Sequence, residues 1–407
     1  MTGHAPPAVR PVVTGVGVLS AAGSGLGALA EATAHGKGAF GTVTRFDVSG
    51  RRTTRAALLP EPVPLAEAVL TAVDEACRQA GLAAGPADGS PAGRTGGRPV
   101  GRQAGRGTAA ATGPADGTPG PEDRGLPVLL ALHSDLRTRA VAGAVAAGVA
   151  AWGAAGVTRI YTGACVAAGT AVADAAALVA TGRHPRVLVA AGHLVEPGVF
   201  AAFDAGRALA RDGELRPFSA GRSGTLLGDA AAAVVIEAEP VAERRGAPVL
   251  ARLAGWGRTG DAHHVCRPEP DGEGAARAID AALGRAGLDP ADIGYVNANG
   301  TGSPLADRAE ASALRRVFGT RADRVPVSSS KGVHGHALEA SALLELAVTI
   351  AALNHGRLPV NAGWLGADPD VGLDLVLDGP RAARPRYALS LNSAFGGANT
   401  ALLVAAR

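Results

Sequence analysis

The sequence predicts a layered α/β fold built from two duplicated halves, and two similar segments carry that prediction. Residues 157–192 read as a strand, a tight turn, a long apolar helix, a GRHP turn and a second strand. Residues 324–361 repeat this order as a strand, a small polar loop, a long apolar helix and a GRLP exit. A strand–helix–strand order of this length is typical of a parallel crossover unit, and its repetition indicates a pseudo-twofold relationship.

Other elements follow from local patterns along the chain. Residues 11–18, PVVTGVGV, read as a buried strand that ends in a glycine turn, and residues 64–81 read as an amphipathic helix. The run VLLAL at residues 128–132 predicts another strand. Residues 140–158 are uncharged but consist mainly of Ala and Gly, which favours a buried helix over a membrane span.

Amino-acid composition predicts the type of core and separates one polar segment from the rest of the chain. The 407 residues contain 47% hydrophobic but only 3% aromatic residues, so the core should consist of small side chains between closely packed helices. We expect an N-terminal half at residues 1–250 and a C-terminal half at 251–407. Residues 84–125 are crowded with Gly, Pro and Arg, with Val100 the only aliphatic residue larger than Ala, which predicts a mobile surface loop.

Charge and cysteine content exclude several classes of function. The formal net charge is only +3, and no basic stripe alternates with aromatic residues, so nucleic acid is not expected as a partner. The three cysteines are too widely spaced for a disulfide framework or a zinc site, which favours the cytoplasm. The N-terminal residues contain no apolar signal segment, and no membrane association is expected.

Cys165 is the first candidate for chemistry. It lies where the strand-like run VTRIY gives way to the apolar helix pattern, so its thiol is expected at a helix N-terminus. There the helix dipole and free amides favour the thiolate, which is the nucleophilic form. An inert core thiol remains open on this reasoning, because free cysteine is among the most buried residue types.

A second candidate cluster is SSSKGVHGH, residues 328–336. His336 stands at the entry to an apolar helix and could act as a general base or as a hydrogen-bond donor to an oxyanion. Lys331 is one of only two lysines in the chain against 37 arginines, and a pair with Glu345 could fix the loop. A surface position or a satisfied core histidine remains the alternative for each residue alone.

Read together, five motifs in one order are more specific than any of them alone. The chain contains TGACVAAGT, RPFSAGRSGTLLGDAAAAVVIE, NANGTGSPLADRAE, SSSKGVHGH and AFGGANTALLV. This order resembles the β-ketoacyl-acyl carrier protein synthases of the thiolase superfamily, specifically the elongating type, from about residue 12 to residue 404. The resemblance implies a thiolase-like fold with two βαβαβαββ halves in a five-layer αβαβα arrangement.

The resemblance also implies roles for individual residues. Cys165 would take the acyl chain as a thioester, and the first and second active-site positions after it would be Asn299 and His336. The supporting positions implied are the ion pair of Lys331 with Glu345 and the buried acids Asp307 and Glu310. The gate and oxyanion loop would be Phe395, Gly396 and Gly397, and the substrate pocket would include Thr301, His264, Cys266 and Phe203.

Several positions depart from the pattern of this family. Where the family reads NAHGT, Asn299 replaces the first active-site histidine, so the predicted triad is Cys165, Asn299 and His336. His334 stands where the family has Ser or Thr before GH, and Glu339 replaces a glycine of GHxxGAAG. Asparagine can donate a hydrogen bond to an oxyanion but cannot exchange a proton at neutral pH, so the reaction type depends on this position.

Three functions therefore remain open from the sequence. The first is decarboxylative condensation of an acyl thioester with a malonyl-type extender in type II polyketide or fatty-acid-like secondary metabolism. The second is acyl transfer to an alcohol or amine, with His336 as the only base. The third is a non-catalytic partner like the chain-length factors, although those subunits typically lose the nucleophile that Cys165 retains.

The expected partners and cofactors also follow from the resemblance. An acyl carrier protein would deliver the acyl group on its phosphopantetheine arm, so no resident cofactor is expected. The chain would work as a homodimer or beside a homologous ketosynthase-like subunit. No metal site is expected, because His263 and His264 have no third ligand at a suitable spacing.

Overall fold

The computed structural model describes residues 9–85 and 125–407. Residues 86–124, which make up most of the predicted 84–125 loop, lie outside the described residues. The strands are β1 Pro11–Ser20, β2 Gly23–Ser24, β3 Phe40–Thr42, β4 Arg55–Ala57, β5 Val128–Ala131, β6 Val157–Tyr161, β7 Arg186–His193, β8 Ala230–Ala238, β9 Ala251–Gly260, β10 Ile293–Asn297, β11 Pro326–Ser328, β12 Arg357–Leu358, β13 Asp374–Leu375, β14 Arg381–Ala382, β15 Tyr387–Ser393 and β16 Ala398–Ala405.

Ten α-helices accompany these strands within the described residues. They are α1 Gly25–Ala34, α2 Leu65–Gln79, α3 Thr138–Val149, α4 Ala167–Ala180, α5 Pro197–Ala205, α6 Glu239–Arg244, α7 Glu273–Ala286, α8 Pro304–Phe318, α9 Lys331–His334 and α10 Ser341–His355. Short 3-10 turns precede α4 at Ala164–Val166 and α10 at Leu338–Ala340. No helix in the described ranges is both long and apolar enough to cross a membrane.

The order of the strands confirms the predicted duplication. In the N-terminal half the order is β1-β8-β7-β5-β6, and in the C-terminal half it is β9-β16-β15-β10-β11, followed by β13. The β5–β7 and β5–β6 pairs are parallel, as are β10–β15 and β10–β11, whereas β1–β8 and β9–β16 are antiparallel. The halves meet where β1 pairs with β9.

The helices form layers around the strands of both halves. Helices α2 and α3 cover the N-terminal half, and α7 and α8 cover the C-terminal half. Helices α4 and α10 pack against each other and contact strands of both halves, so they form the central layer. This is the five-layer arrangement that the resemblance implied, and it brings the starts of α4 and α10 together.

Glycines allow the outer helices to approach the first strand of each half. A Cβ atom on Gly17 would lie 1.9 Å from the carbonyl oxygen of Ala72 in α2. A Cβ atom on Gly257 would lie 1.8 Å from the carbonyl oxygen of Ala278 in α7. Both contacts leave no room for a side chain, so the same close packing of helix on strand occurs in both halves.

Some element boundaries differ from those predicted, and two helices illustrate this. The helix expected at residues 64–81 is α2, Leu65–Gln79, which is a small change. The buried helix expected at residues 140–158 is wrong in extent, because α3 ends at Val149 and β6 begins at Val157. Only Ala142, Val145 and Val149 of α3 are buried, because the helix lies on an outer face of the sheet.

Candidate active site

Cys165 lies at the start of the central layer. After β6 ends at Tyr161, the chain turns through the 3-10 segment Ala164–Val166 and enters α4. Ala164 has a φ of +50°, a conformation that side chains rarely adopt, so this turn is tight and constrained. The Cys165 side chain is buried.

The structure does not support the expectation that the free Cys165 favours the thiolate. Burial and, to a smaller extent, the nearby Glu339 carboxylate raise the pKa of the thiol to about 12, while Lys331 acts in the opposite direction. Loss of hydration is therefore the main influence on the pKa of this thiol. Cys165 must give up its proton to a base during attack.

His336 is placed to be that base. Its Nε2 lies 3.1 Å from Cys165 Sγ, and its Nδ1 lies 2.9 Å from Ser341 Oγ. Burial lowers the pKa of His336 well below its usual range, and Lys331 lowers it further. The imidazole is therefore neutral at physiological pH and can accept the thiol proton.

Backbone pairing holds His336 in place. The His336 N–H donates to the Leu226 carbonyl at 2.7 Å, and the Gly228 N–H donates to the His336 carbonyl at 3.0 Å. Gly228 has no space for a Cβ atom, which would lie 2.1 Å from the His334 carbonyl oxygen. The histidine loop is thus fixed against the segment that leads into β8.

Lys331 and Glu345 form a fully buried ion pair, with 2.5 Å between Nζ and Oε1. Asn392 Nδ2 donates to the other Glu345 oxygen at 2.6 Å. Burial nevertheless raises the pKa of Glu345. A buried carboxylate requires this kind of compensation, so the pair and its amide partner hold α9 against α10 and β15.

Asn299 is tied to the same lysine. Lys331 Nζ donates to the Asn299 carbonyl oxygen at 2.7 Å and to Oδ1 at 3.2 Å. Because an ammonium group can only donate, it fixes the Asn299 side-chain oxygen toward Lys331 and turns Nδ2 away. Nδ2 has no hydrogen-bond acceptor among the described residues, so it is available to a ligand.

The two predicted acids hold the Asn299 loop through its backbone. The N–H groups of Asn299 and Gly300 donate to the two oxygens of Glu310, at 2.7 and 2.8 Å. Asp307 accepts from the amides of Phe218 and Gly302, at 2.7 and 3.1 Å. Burial raises the pKa of Glu310 to about 7 and that of Asp307 to about 6.

The C-terminal glycine loop lies beside the nucleophile. Ala394 packs against the apolar cluster that contains Cys165. Phe395 is 55% exposed, and its ring centroid lies 5.8 Å from that of Phe203, which packs on the same cluster. Gly396 and Gly397 have φ values of +89° and +76°, so the turn requires glycine.

The remaining predicted pocket residues are less buried. Thr301 is partly buried, at the end of the Asn299 loop. His264 and Cys266 are exposed, and His264 Nδ1 accepts from the backbone N–H of Cys266 at 3.1 Å. The place of His264 and Cys266 in the substrate pocket stays a prediction. The neighbouring His263 and Arg267 line a surface groove of about 700 Å³.

Sequence reasoning missed several polar residues near the site. Ser341 was not predicted as a site residue, although a serine at the start of the apolar α10 pattern could have indicated one. His133 and His193 were also missed, and both contact Glu339, which the sequence marked only as a departure. Over the described ranges, no three His, Cys, Asp or Glu side chains form a cluster suited to a metal ion.

Comparison with protein families agrees with this geometry. Residues 59–242 match the β-ketoacyl synthase N-terminal domain, and residues 250–364 match the β-ketoacyl synthase C-terminal domain. The chain belongs to the β-ketoacyl synthase family. Together these two ranges include Cys165, Asn299 and His336, so the candidate triad lies inside the matched regions.

Individual relatives are similar to this chain over part of their length. Nodulation protein E of Rhizobium meliloti is 39% identical over 244 residues, which cover 59% of this chain and 60% of that protein. 3-Oxoacyl-[acyl-carrier-protein] synthase 2 of Staphylococcus aureus is 37% identical over 207 residues, covering 50% and 51%. The chain thus spans between half and two thirds of the length of these relatives.

Solved ketosynthase structures share the fold over nearly the whole chain. The ishigamide ketosynthase/chain length factor has a TM-score of 0.81 at 24% identity, covering 98% of this chain and all of that chain. AntDE:AntF, a type II polyketide acyl-carrier protein in complex with its ketosynthase bound to the hexaketide, has a TM-score of 0.82 at 22% identity. It covers 98% of this chain and 100% of the matched chain. At these identities the likeness establishes the thiolase-like fold.

Proposed function

We propose that this β-ketoacyl synthase accepts an acyl group from an acyl carrier protein on Cys165 and condenses it with a malonyl-type extender by decarboxylation. The single observation that carries the proposal is the contact of 3.1 Å between His336 Nε2 and Cys165 Sγ at the start of α4. A neutral imidazole beside a buried thiol is suited to nucleophilic acyl transfer.

Acylation of Cys165 is the first step. His336 accepts the Sγ proton as Sγ attacks the thioester carbonyl, and it returns that proton to the departing phosphopantetheine sulfur. The phosphopantetheine arm belongs to the carrier protein and enters as substrate. The Phe395 N–H has no backbone partner within the described residues and lies in the glycine loop beside the nucleophile, so it can donate to the oxyanion.

Condensation is the second step, and it requires donors for an enolate. Loss of CO₂ from the malonyl group leaves negative charge on the thioester oxygen. His336 Nε2–H and Asn299 Nδ2 are the two donors proposed for that oxygen, each worth about 3 kcal/mol in comparable sites. After acylation Nε2 carries no proton, so the imidazole must change tautomer before it can donate. Nδ1 then accepts from the Ser341 hydroxyl, which lies 2.9 Å away.

The setting of the reaction is part of the proposal. We place the enzyme in the cytoplasm, in type II polyketide or fatty-acid-like secondary metabolism, as a homodimer or beside a homologous subunit. The edge strand β6 ends the sheet, and its Ile160 side chain is 40% exposed. Both similar ketosynthase structures described above are complexes or pairs with a second component, which supports an assembly.

A second candidate function is acyl transfer to an alcohol or amine, which forms an ester or amide without decarboxylation. The observation that favours it is the presence of Asn299 where a proton-accepting histidine is expected, which leaves His336 as the base at Cys165. Much faster CO₂ release by Asn299→His than by the wild type would favour this candidate. A non-catalytic subunit is disfavoured because the Cys165–His336 contact is intact.

The test is to acylate the enzyme and then offer competing acceptors. Acyl-Cys165 enzyme would be mixed with malonyl-carrier protein, an alcohol or an amine, and CO₂ and products would be followed. The proposal predicts CO₂ release and a β-ketoacyl-carrier protein. Ester or amide formation without CO₂ would replace it with the second candidate.

A further inference from the structure

A buried polar cluster of Glu339, His133 and His193 lies close to the nucleophile, and the proposed acylation and condensation do not use it. His133 Nδ1 lies 2.8 Å from Glu339 Oε1, and His193 Nδ1 lies 3.3 Å from Glu339 Oε2. Glu339 and His193 are each 2% exposed, whereas the His133 side chain is 41% exposed. The cluster therefore extends from the interior to the surface.

The sheet and the turn before α10 bring these three side chains together. Strands β5 and β7 are parallel neighbours with Ala131 opposite Ala191. His133 and His193 each follow that pair by two residues, so they occupy equivalent positions at the carboxyl ends of adjacent strands. Glu339 reaches both from the 3-10 turn before α10, which packs against the turn at the start of α4. The carboxyl ends of parallel strands are common places for ligands to bind.

Two buried atoms of the cluster lack hydrogen bonds. Within the described residues, neither Glu339 Oε2 nor His193 Nε2 has a hydrogen-bond partner. The approach of His193 Nδ1 to Oε2, at 3.3 Å, lacks the geometry of a hydrogen bond. Buried polar atoms are nearly always paired in folded proteins, so two such atoms on adjacent side chains indicate that a polar group binds there.

Apolar side chains connect the nucleophile to a cleft beside the cluster. The apolar cluster around Cys165 includes Val195, and Phe46 packs against it. Both of these side chains also line a cleft of about 480 Å³, together with His133. Glu339 bonds to His133 from a turn that packs against the Cys165 turn. An acyl chain that extends from Cys165 toward the cleft would therefore lie beside Glu339.

The charge of Glu339 decides which kind of group can bind. Burial raises its pKa, but the hydrogen bond with His133 and the nearby His193 lower it to about 2, so Glu339 is an anion. A carboxylate only accepts hydrogen bonds, so a group that pairs with Oε2 must donate. The hydrogen bond to Glu339 raises the pKa of His133, and a proton on His133 balances the Glu339 charge without a second cation. A neutral hydroxyl group meets both conditions, and it can also bond to His193 Nε2 in either tautomer.

We propose that Glu339 and His193 select acyl groups with a hydroxyl substituent close to the thioester, and that this hydroxyl donates to Glu339 Oε2. A plain alkyl chain would leave both buried atoms unpaired, and sites built to bond a substrate hydroxyl reject analogues that lack it. The inference rests on the proposed acylation of Cys165, a step that both candidate functions include. Within the described structure neither residue is hydrogen-bonded to Cys165 or His336, so they determine which acyl group is accepted.

Matched pairs of acyl-N-acetylcysteamine thioesters test this selection. The pairs are 3-hydroxybutyryl with butyryl and 5-hydroxyhexanoyl with hexanoyl, and intact-protein mass spectrometry gives the rate of acyl-Cys165 formation for each. We expect the hydroxylated member of at least one pair to acylate the wild type at least about tenfold faster. In Glu339→Leu the ratio of the two rates should fall to about one or below, because leucine cannot accept a hydrogen bond.

The ratio of two rates within one variant separates recognition from structural damage, since an unstable variant loses both rates together. His193→Leu should also lower the ratio. His355→Gln, at an exposed histidine at the end of α10, is the control and should keep the wild-type ratio. The 3-fluorobutyryl thioester resembles the hydroxyl compound in size but cannot donate, so it should lose the advantage in the wild type.

The wild-type comparisons decide the proposal even where a variant is inactive. Equal rates within both pairs, or a fluoro compound as fast as the hydroxyl compound, would overturn it. An unchanged ratio in both Glu339→Leu and His193→Leu would also overturn it. A wild type that takes no acyl group from any thioester contradicts the proposed acylation itself, whereas acylation by all of them at equal rates overturns this inference alone.

Discussion

Lys331 donates to both oxygens of Asn299, at 2.7 Å to the backbone carbonyl and 3.2 Å to Oδ1. This arrangement selects one orientation of the amide and leaves Nδ2 as the free donor. Asn299 is therefore a preoriented hydrogen-bond donor, and the lysine that orients it is itself held by Glu345.

Asn299→Asp tests the donor directly, because aspartate keeps the shape and the contact with Lys331 but cannot donate when ionised. We expect CO₂ release from malonyl-carrier protein to fall by roughly 10²–10³, the usual loss for one oxyanion donor. Acylation of Cys165 should be much less affected. Equal CO₂ release by Asn299→Asp and the wild type would show that Nδ2 does not stabilise the enolate.

Lys331→Met tests the buried ion pair, because methionine fills similar space but leaves the Glu345 carboxylate without its partner. The free energy of unfolding, measured by urea denaturation, should fall by about 3–5 kcal/mol. The double variant Lys331→Met/Glu345→Leu should recover much of that loss, since no charge remains buried there. A single variant as stable as the wild type would contradict this account.

His334 makes stability depend on pH. Burial and the nearby Lys331 lower its pKa to about 3. The folded protein therefore takes up this proton at a lower pH than the unfolded chain does. As pH falls from the ordinary histidine pKa of about 6.5 to about 3, the free energy of unfolding therefore decreases because of His334. The slope of this decrease is at most about 1.4 kcal/mol per pH unit.

The measurement compares urea unfolding of the wild type and His334→Gln at several pH values from 7 to 4.5. His336 acts in the same direction, whereas the raised pKa values of Asp307 and Glu310 act in the opposite one. Because these groups are common to both proteins, the difference isolates His334. Stability should fall less steeply in His334→Gln. Parallel curves would show that His334 keeps an ordinary pKa.

Phe395→Ala tests the proposed gate. The ring is 55% exposed and contacts Phe203, so its removal should change the free energy of unfolding little. If the ring controls entry to Cys165, the rate of acylation by long acyl thioesters should change relative to acetyl thioesters. An unchanged ratio of the two rates would argue against a gating role.

The repeated parts of the fold were predictable from the sequence because each half carries its own pattern. The two predicted crossover units correspond to β6–α4–β7 and to β11–α10 in the structure, and the strand order confirmed that they are equivalent. The extent of α3 was not predictable, because Ala and Gly fit either a helix or the turn that follows it. Only packing against the sheet decides where such a helix ends.

The positions of the site residues were easier to predict than their ionisation. The motif order predicted that Cys165 and His336 share one site. The pKa of Cys165, however, depends on its burial and on Glu339, and no local sequence pattern reveals either influence. His133 and His193 are 60 residues apart in sequence, and the parallel register of β5 and β7 places both beside Glu339. Ser341 contacts His336 because both lie at the entry to α10.

Acylation of Cys165 tests the central claim most directly. The protein would be incubated with an acyl-carrier protein or an acyl thioester surrogate and analysed by intact-protein mass spectrometry, beside Cys165→Ala and the exposed-cysteine control Cys266→Ala. The account predicts one acyl adduct on the wild type and on Cys266→Ala, and none on Cys165→Ala. An adduct that persists in Cys165→Ala, or a wild type that takes no acyl group, would contradict it.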